Sequence, residues 1–320
     1  MPSMIERRGT RIALAVALSI GCLGLPFVAT AVVNDWIVSA ASLMILAISW
    51  NLAANAGLIS LGHSAFWGLG SYTAILAANK LGLPMAVVLV PAMLVGALAG
   101  GLLAVITGRL KGIFFAISTL ALSEGLRVLA VMLPGLTGGG EGMYMNPKLR
   151  MGPEFVAALM VVGAVAAVWV SWVMARMPSH YAFRAMRANE AAAEMLGVHP
   201  VRFRVGVLAL SGAMASFAGG VRVWYGGFID PGIAFDLHIT ILAQIAPILG
   251  GIHTLVGPII GSLLGVLLSE ATRIWLGTKG FSLLVYGLAL VLCILFLPNG
   301  VWGGIRDGFA RRARWLRRHS

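Results

Sequence analysis

Charge is what this sequence has least of. Asp, Glu, Lys and Arg make up 11% of its 320 residues, and only 11 side chains are acidic, whereas a soluble domain carries about 25% charged residues. That is too little polar surface for a water-facing shell. A hydrophobic content of 59% with a mean hydropathy of +0.94 describes a lipid-embedded chain instead. Cysteine is almost missing. Cys22 and Cys293 lie in separate apolar runs, with no CxxC partner and no neighbouring His, which excludes a disulfide framework and makes both packing residues. No G-x-x-x-x-G-K-[ST] phosphate loop occurs, so the chain does not hold ATP in the usual way. Metal-ligand spacings, a nucleophile elbow and paired carboxylates are missing too, which excludes enzyme classes built on them; no cofactor and no metal are expected.

Apolar runs and 41 glycines are what the chain has in quantity. About 20 apolar residues cross a hydrocarbon core of about 30 Å. Such runs fall at 12–33, 36–54, 63–79, 84–107, 112–134, 155–175, 205–225, 239–252, 256–276 and 281–299. They predict an all-α integral membrane protein, a polytopic bundle of about ten transmembrane helices in one domain over 1–305, with a basic tail at 306–320. The run at 239–252 is short and ends on Gly250 and Gly251, while Gly57, Gly62, Gly68 and Gly70 punctuate the approach to 63–79. Both are expected as broken or re-entrant segments, tolerated where protein covers the freed backbone groups. The first run, preceded by Arg7, Arg8 and Arg11 and carrying Ala29-x-Ala31, also has features of a cleaved signal. Its length of about 22 residues, against about 7 to 15 for a signal core, favours a span.

The net charge of +12 follows topology, not nucleic acid. With the N-terminus inside, most of the 23 Lys and Arg fall on the cytoplasmic side: Arg7, Arg8, Arg11, Arg109, Lys111, Arg176, Arg184, Arg187, Arg202, Arg204 and the tail from Arg306 to Arg318. The positive-inside rule then puts both termini in the cytoplasm.

The one long inside segment, 177–204, reads MPSHYAFRAMRANEAAAEMLGVHPVRFR. Asn189 is a natural N-cap, Glu190 places negative charge in the first turn, and Gly197 suits a C-cap before Pro200 stops the helix. At about 100° per residue, Ala191, Ala192, Met195 and Leu196 share one arc and Glu190 and Glu194 the other. Such a short helix with a small apolar face suits docking, or else lies on the membrane surface between two spans.

Glu190-Ala191-Ala192 followed by Gly197 resembles the EAA loop of ABC-type importers. LISLGHSAFWGLGSYTA at 58–74, RLKGIFFAISTLALSEGLR at 109–127, TGGGEGM at 137–143 and GGIHTLVGPIIGSLLG at 250–265 extend the resemblance, in order and spacing, to the LivM-type permeases of branched-chain amino-acid importers. The resemblance implies a fold like the larger, many-helix importer permeases. It also implies an inner-membrane complex with a second homologous permease, two cytoplasmic ATP-binding subunits and an external substrate-binding protein. By it, Glu190, Ala191, Ala192 and Gly197, flanked by Arg184 and Arg187, contact the ATPase. Where this chain has Glu141 and His253 the family usually has Asn and Gly. An acidic group near the entrance disfavours an anionic ligand, so urea, a short amide or another amino acid stay open as cargo.

The same stretches supply translocation-pathway or scaffold candidates. Gly62, Gly68 and Gly70 permit tight crossings, with Phe66 and Trp67 filling the space or lining a path and His63 a packing residue or a ligand. Glu124 and Arg127, three apart in one apolar run, share a helix face and form either a structural salt bridge or part of the solute route. Thr137, Gly138, Gly139 and Glu141 belong to an outer glycine run that either offers backbone amides to a carboxylate or is a flexible turn. A secondary transporter with Glu124 as proton carrier is the rival reading.

Overall fold

The computed structural model describes residue 21, residues 23–276 and parts of 284–306; both cysteines, most of the run at 12–33, much of that at 281–299, and the tail beyond Arg306 lie outside the described residues. The helices are α1 (Ala31–Asn55), α2 (His63–Leu81), α3 (Met85–Ile106), α4 (Ile113–Met132), α5 (Pro153–Met174), α6 (Ser179–Ala188), α7 (Glu190–Met195), α8 (Pro200–Gly226), α9 (Leu237–Gly250) and α10 (Val256–Leu276). Single turns at Pro134–Thr137 and Pro231–Ala234 join them. Among the described residues, seven helices are long and apolar enough to cross a membrane: α1, α3, α4, α5, α8, α9 with the turn before it, and α10.

Helix α2 is not among the seven, although the run at 63–79 was expected to span. It forms a helix of 19 residues, but its polar groups lower its hydropathy, and His63, Ser64 and Ser71 are fully buried against other helices instead of facing lipid. The chain between α1 and α2 is the expected break. Residues 56–62 run as non-helical chain, and the Trp50 indole N–H donates to the Ser60 carbonyl at 2.8 Å while the Thr119 hydroxyl accepts from the Leu61 N–H at 2.8 Å. Side chains of α1 and α4 thus satisfy backbone that lipid would leave bare. The short α9 is likewise preceded by a turn, which the Asp230 carboxylate caps by accepting from the Ile233 N–H at 2.9 Å.

Helix α8 forms the middle of the bundle, packed on α3, α2, α1 and α5. Its seams with α2 and α3 are backbone against backbone. A Cβ on Gly96 would lie 2.4 Å from the Gly212 carbonyl oxygen, one on Gly70 2.1 Å from that of Ser216, and one on Gly219 2.1 Å from that of Trp67. Close approach of small residues is how helices gain dispersion energy when lipid supplies no hydrophobic drive. The α9–α10 hairpin closes the same way, with Gly261 against the Ala246 carbonyl.

The two ends of the bundle differ. At one end, residues 107–112, the segment 177–199 and the turn 251–255 gather. At the other, Met143–Tyr144 pairs antiparallel with Phe228–Ile229, in the register Met143 to Ile229 and Tyr144 to Phe228. Asn79 holds that ribbon, donating to the Tyr144 carbonyl and accepting from the Asn146 N–H, each at 2.9 Å.

Candidate functional site

The segment 177–199 folds as its residues dictate. Phe183 and Met186 anchor α6 in the core, with Phe183 edge-on to Phe203 at 5.8 Å. Asn189 ends α6 and caps α7, its side-chain oxygen accepting from the Ala192 N–H at 3.1 Å. Gly197, at φ +85°, takes the left-handed residue after α7, as expected of a C-cap. Pro200 does not stop this helix; it opens α8, where its missing N–H is no loss.

Ala191 and Ala192 are exposed, as are Met195 at 89% and Leu196 at 82%, while Ala193 is buried. The apolar arc read from the periodicity therefore faces outward, at the end of the bundle. Glu190 points the other way. Its side chain is 13% exposed, with one oxygen 3.0 Å from the Arg204 guanidinium and the other 2.9 Å from the Lys111 ammonium. Arg204, itself 7% exposed, also donates to the Gly108 carbonyl at 2.7 Å. The carboxylate thus ties α7 to the α3–α4 turn and to the start of α8. Arg184 and Arg187 are exposed on α6, and partial desolvation by the neighbouring chain, then the Arg184 charge, lowers the Arg187 pKa.

Beside α6 lies a small cleft lined by Asn55, Ser171, His180, Phe183 and His253. His253 sits at φ +64°, a conformation its Cβ disfavours. Asn51 holds it there, accepting from the His253 N–H at 2.9 Å and donating to the Thr254 carbonyl at 3.0 Å. Burial, and secondarily the Arg187 charge, push the His253 imidazole down to about 4, so it is neutral at pH 7.

The pathway candidates separate into three places. His63, Phe66 and Trp67 are buried at 0%, 0% and 5%, inside the core. His63 Nε2 lies 3.0 Å from the Ser211 hydroxyl, which donates to the Ser49 carbonyl at 2.9 Å. Next to it, Ser64 meets the Ser123 hydroxyl at 2.7 Å and the Thr240 hydroxyl at 3.0 Å, and Thr240 accepts from the Ser64 N–H at 2.9 Å. Two consecutive residues at the start of α2 thus join α1, α4, α8 and α9 by hydrogen bonds. Glu124 and Arg127 pair at 2.8 Å, both side chains nearly half exposed on α4. Thr137, Gly138, Gly139 and Glu141 are at the opposite end of the bundle from Glu190. Gly138, Gly139 and Gly142 all have positive φ, and a Cβ on Gly142 would lie 2.4 Å from the Ile229 carbonyl oxygen. This run is a tightly packed turn with Glu141 exposed.

Sequence reasoning counted Arg204 and Lys111 only as topology markers and missed them as the partners of Glu190. It missed Asn51, Ser64, Ser123 and Thr240 altogether. No local period links residues so far apart in the chain; the one available signal was the density of Ser and Thr in otherwise apolar runs.

A family model for the permease component of branched-chain amino acid transport systems matches residues 32–295. The chain belongs to this family. The permease protein LivM of the high-affinity branched-chain amino acid transport system of Salmonella typhimurium is 30% identical over 291 residues, covering 81% of this chain and 67% of that protein. Its Escherichia coli counterpart is 28% identical over 319 residues, covering 89% of this chain and 73% of that protein. The autoinducer 2 import system permease protein LsrC of Enterobacter sp. (strain 638) is 30% identical over 226 residues, covering 67% of this chain and 64% of that protein. No solved structure matches the chain. Family membership and the seven apolar helices make this permease a multi-pass membrane protein.

Proposed function

We propose that this permease is the membrane-spanning subunit of an ATP-driven importer for branched-chain or related amino acids. It would span the inner membrane about ten times, with both termini in the cytoplasm. In this reading the end carrying α6 and α7 is cytoplasmic and receives two ATP-binding subunits, a second homologous permease lies alongside, and an external binding protein delivers the solute. The LivM relatives support the amino-acid cargo, while the LsrC relative, an autoinducer 2 import permease, keeps a different polar solute such as urea or a short amide as the second reading.

One observation carries the coupling role. Met195 and Leu196, 89% and 82% exposed, stand beside Ala191 and Ala192 on a short capped helix at the end of the bundle. Apolar side chains held in water by a helix fixed to the bundle mark a protein-binding surface. Ala191, Ala192 and Gly197 would form the contact with the ATPase, with Arg184 and Arg187 flanking it. On α4, the charges of Glu124 and Arg127 would be costly against lipid, and the second permease covers them in this reading.

Replacing Met195 and Leu196 together by Glu tests the assignment. Co-purification of the ATP-binding subunits and solute uptake should each fall at least tenfold, with the permease still inserted in the membrane. Wild-type retention and uptake would remove α7 from the coupling role.

A further inference from the structure

The carboxylate of Glu190 is already occupied within its own chain. Its two oxygens are taken by Arg204 and Lys111, and its side chain is 13% exposed. Arg204 spends a further N–H on the Gly108 carbonyl at 2.7 Å. Four residues from three segments thereby form one ionic knot: the α3–α4 turn, the first turn of α7, and the start of α8, the most buried of the seven apolar helices among the described residues. The exposed apolar surface of α7, at Ala191, Ala192 and Met195 with Leu196 just after it, is on the opposite side of the same short helix, while Glu194, one turn on from Glu190, is exposed on the near side. A six-residue helix has little stiffness of its own in water. What turns it into a lever is its fixation to the bundle, and the knot supplies that fixation at its first residue.

We infer that Glu190 is a positioning residue: through Arg204 and Lys111 it locks α7 to α8 and to the α3–α4 turn, so that movement imposed on the exposed face of α7 reaches the spans, and it does not itself touch the ATP-binding subunits. The inference rests on the coupling role proposed above. Binding and transmission are thereby assigned to different faces of α7, and the two can be broken separately.

The test uses the full transporter, with its second permease, ATP-binding subunits and binding protein, in proteoliposomes. It measures retention of the ATP-binding subunits and solute accumulated per ATP hydrolysed. Glu190→Gln should keep retention within twofold of wild type while solute per ATP falls at least tenfold. Arg204→Gln should do the same, and the double variant should be no worse than either single one, because both remove the same link. Lys111→Gln, whose ammonium is largely exposed, should cost two- to threefold, and it replaces Arg204→Gln in the cycle if the latter fails to insert. Three results would overturn the inference: loss of the ATP-binding subunits in Glu190→Gln as severe as in the Met195/Leu196 variant, multiplicative losses in the double variant, or an unchanged solute-to-ATP ratio. The coupling role itself fails on a different observation, retention of the ATP-binding subunits by the Met195/Leu196 variant.

Discussion

Arg204 in the first turns of α8 and Arg127 in α4 each meet a glutamate, at 3.0 Å and 2.8 Å, yet the two helices employ their ion pairs differently. In α8 the partner comes from another helix, the guanidinium is 7% exposed, and 67% of the apolar stretch of the helix is buried. In α4 the partner is three residues away on the same helix, the guanidinium is 43% exposed, and only 28% of the stretch is buried. A pair between segments constrains tertiary structure, whereas a pair within one turn constrains only its own rotamers. The permease therefore has one tightly framed helix, α8, and one, α4, seated on the bundle by one side, with an apolar face open and its ion pair at the edge of that face.

The hardest way to break this contrast is at the seam that frames α8. Gly96→Val would drive a side chain onto the Gly212 backbone and the Ser216 hydroxyl, and backbone cannot swing aside. The cost should exceed about 3 kcal/mol, the upper range for overpacking, and the variant should lose the monodisperse peak of the wild-type permease in detergent gel filtration. A normal elution profile and melting temperature would show that the α3–α8 seam is looser than its contacts state. Next in size is the pair of ion-pair variants. Arg204→Leu strips one partner from Glu190 and the donor from Gly108, and should cost about 2 kcal/mol, since a mostly buried charge loses part of its compensation. Arg127→Leu should cost about 0.5 kcal/mol or less, as exposed pairs do. Equal shifts in thermal unfolding would erase the distinction between the two helices.

What the sequence made legible follows the same division. The runs at 84–107, 112–134 and 155–175 agree with α3, α4 and α5 to within about two residues, because in lipid an apolar run has no alternative to a helix. The exposed apolar arc of α7 was legible too, since caps and a 3.6-residue period are local. The pairing of Glu190 was not: its position in an EAA-like stretch marked the helix, but the direction of its side chain depends on Arg204 and Lys111, which folding alone brings near. The same holds for α2. Its Ser, Thr and His made a weak span on hydropathy, and only the meeting of His63 with Ser211 and of Ser64 with Ser123 and Thr240 explains why so polar a helix lies inside the bundle. Pro200 was misread for a related reason. Proline marks a boundary, but whether it closes one helix or opens the next depends on the segment that follows.

The smallest effect probes the open side of α4 directly. Gly125 is on the exposed face of α4 with Ala121, Val128 and Leu129, and nothing lies within 4 Å of the Cβ it lacks. In the isolated permease, Gly125→Ala should stabilise by somewhat less than about 1 kcal/mol, the helix-propensity gain of alanine over glycine, read as a small rise in melting temperature. In the assembled transporter the added methyl group would meet whatever covers the exposed face of α4. If the second permease is seated there, the gain should vanish and co-purification of that subunit should weaken by two- to threefold. A gain that persists unchanged in the complex would mean that this face of α4 stays open after assembly, and that the second permease is seated elsewhere on the bundle.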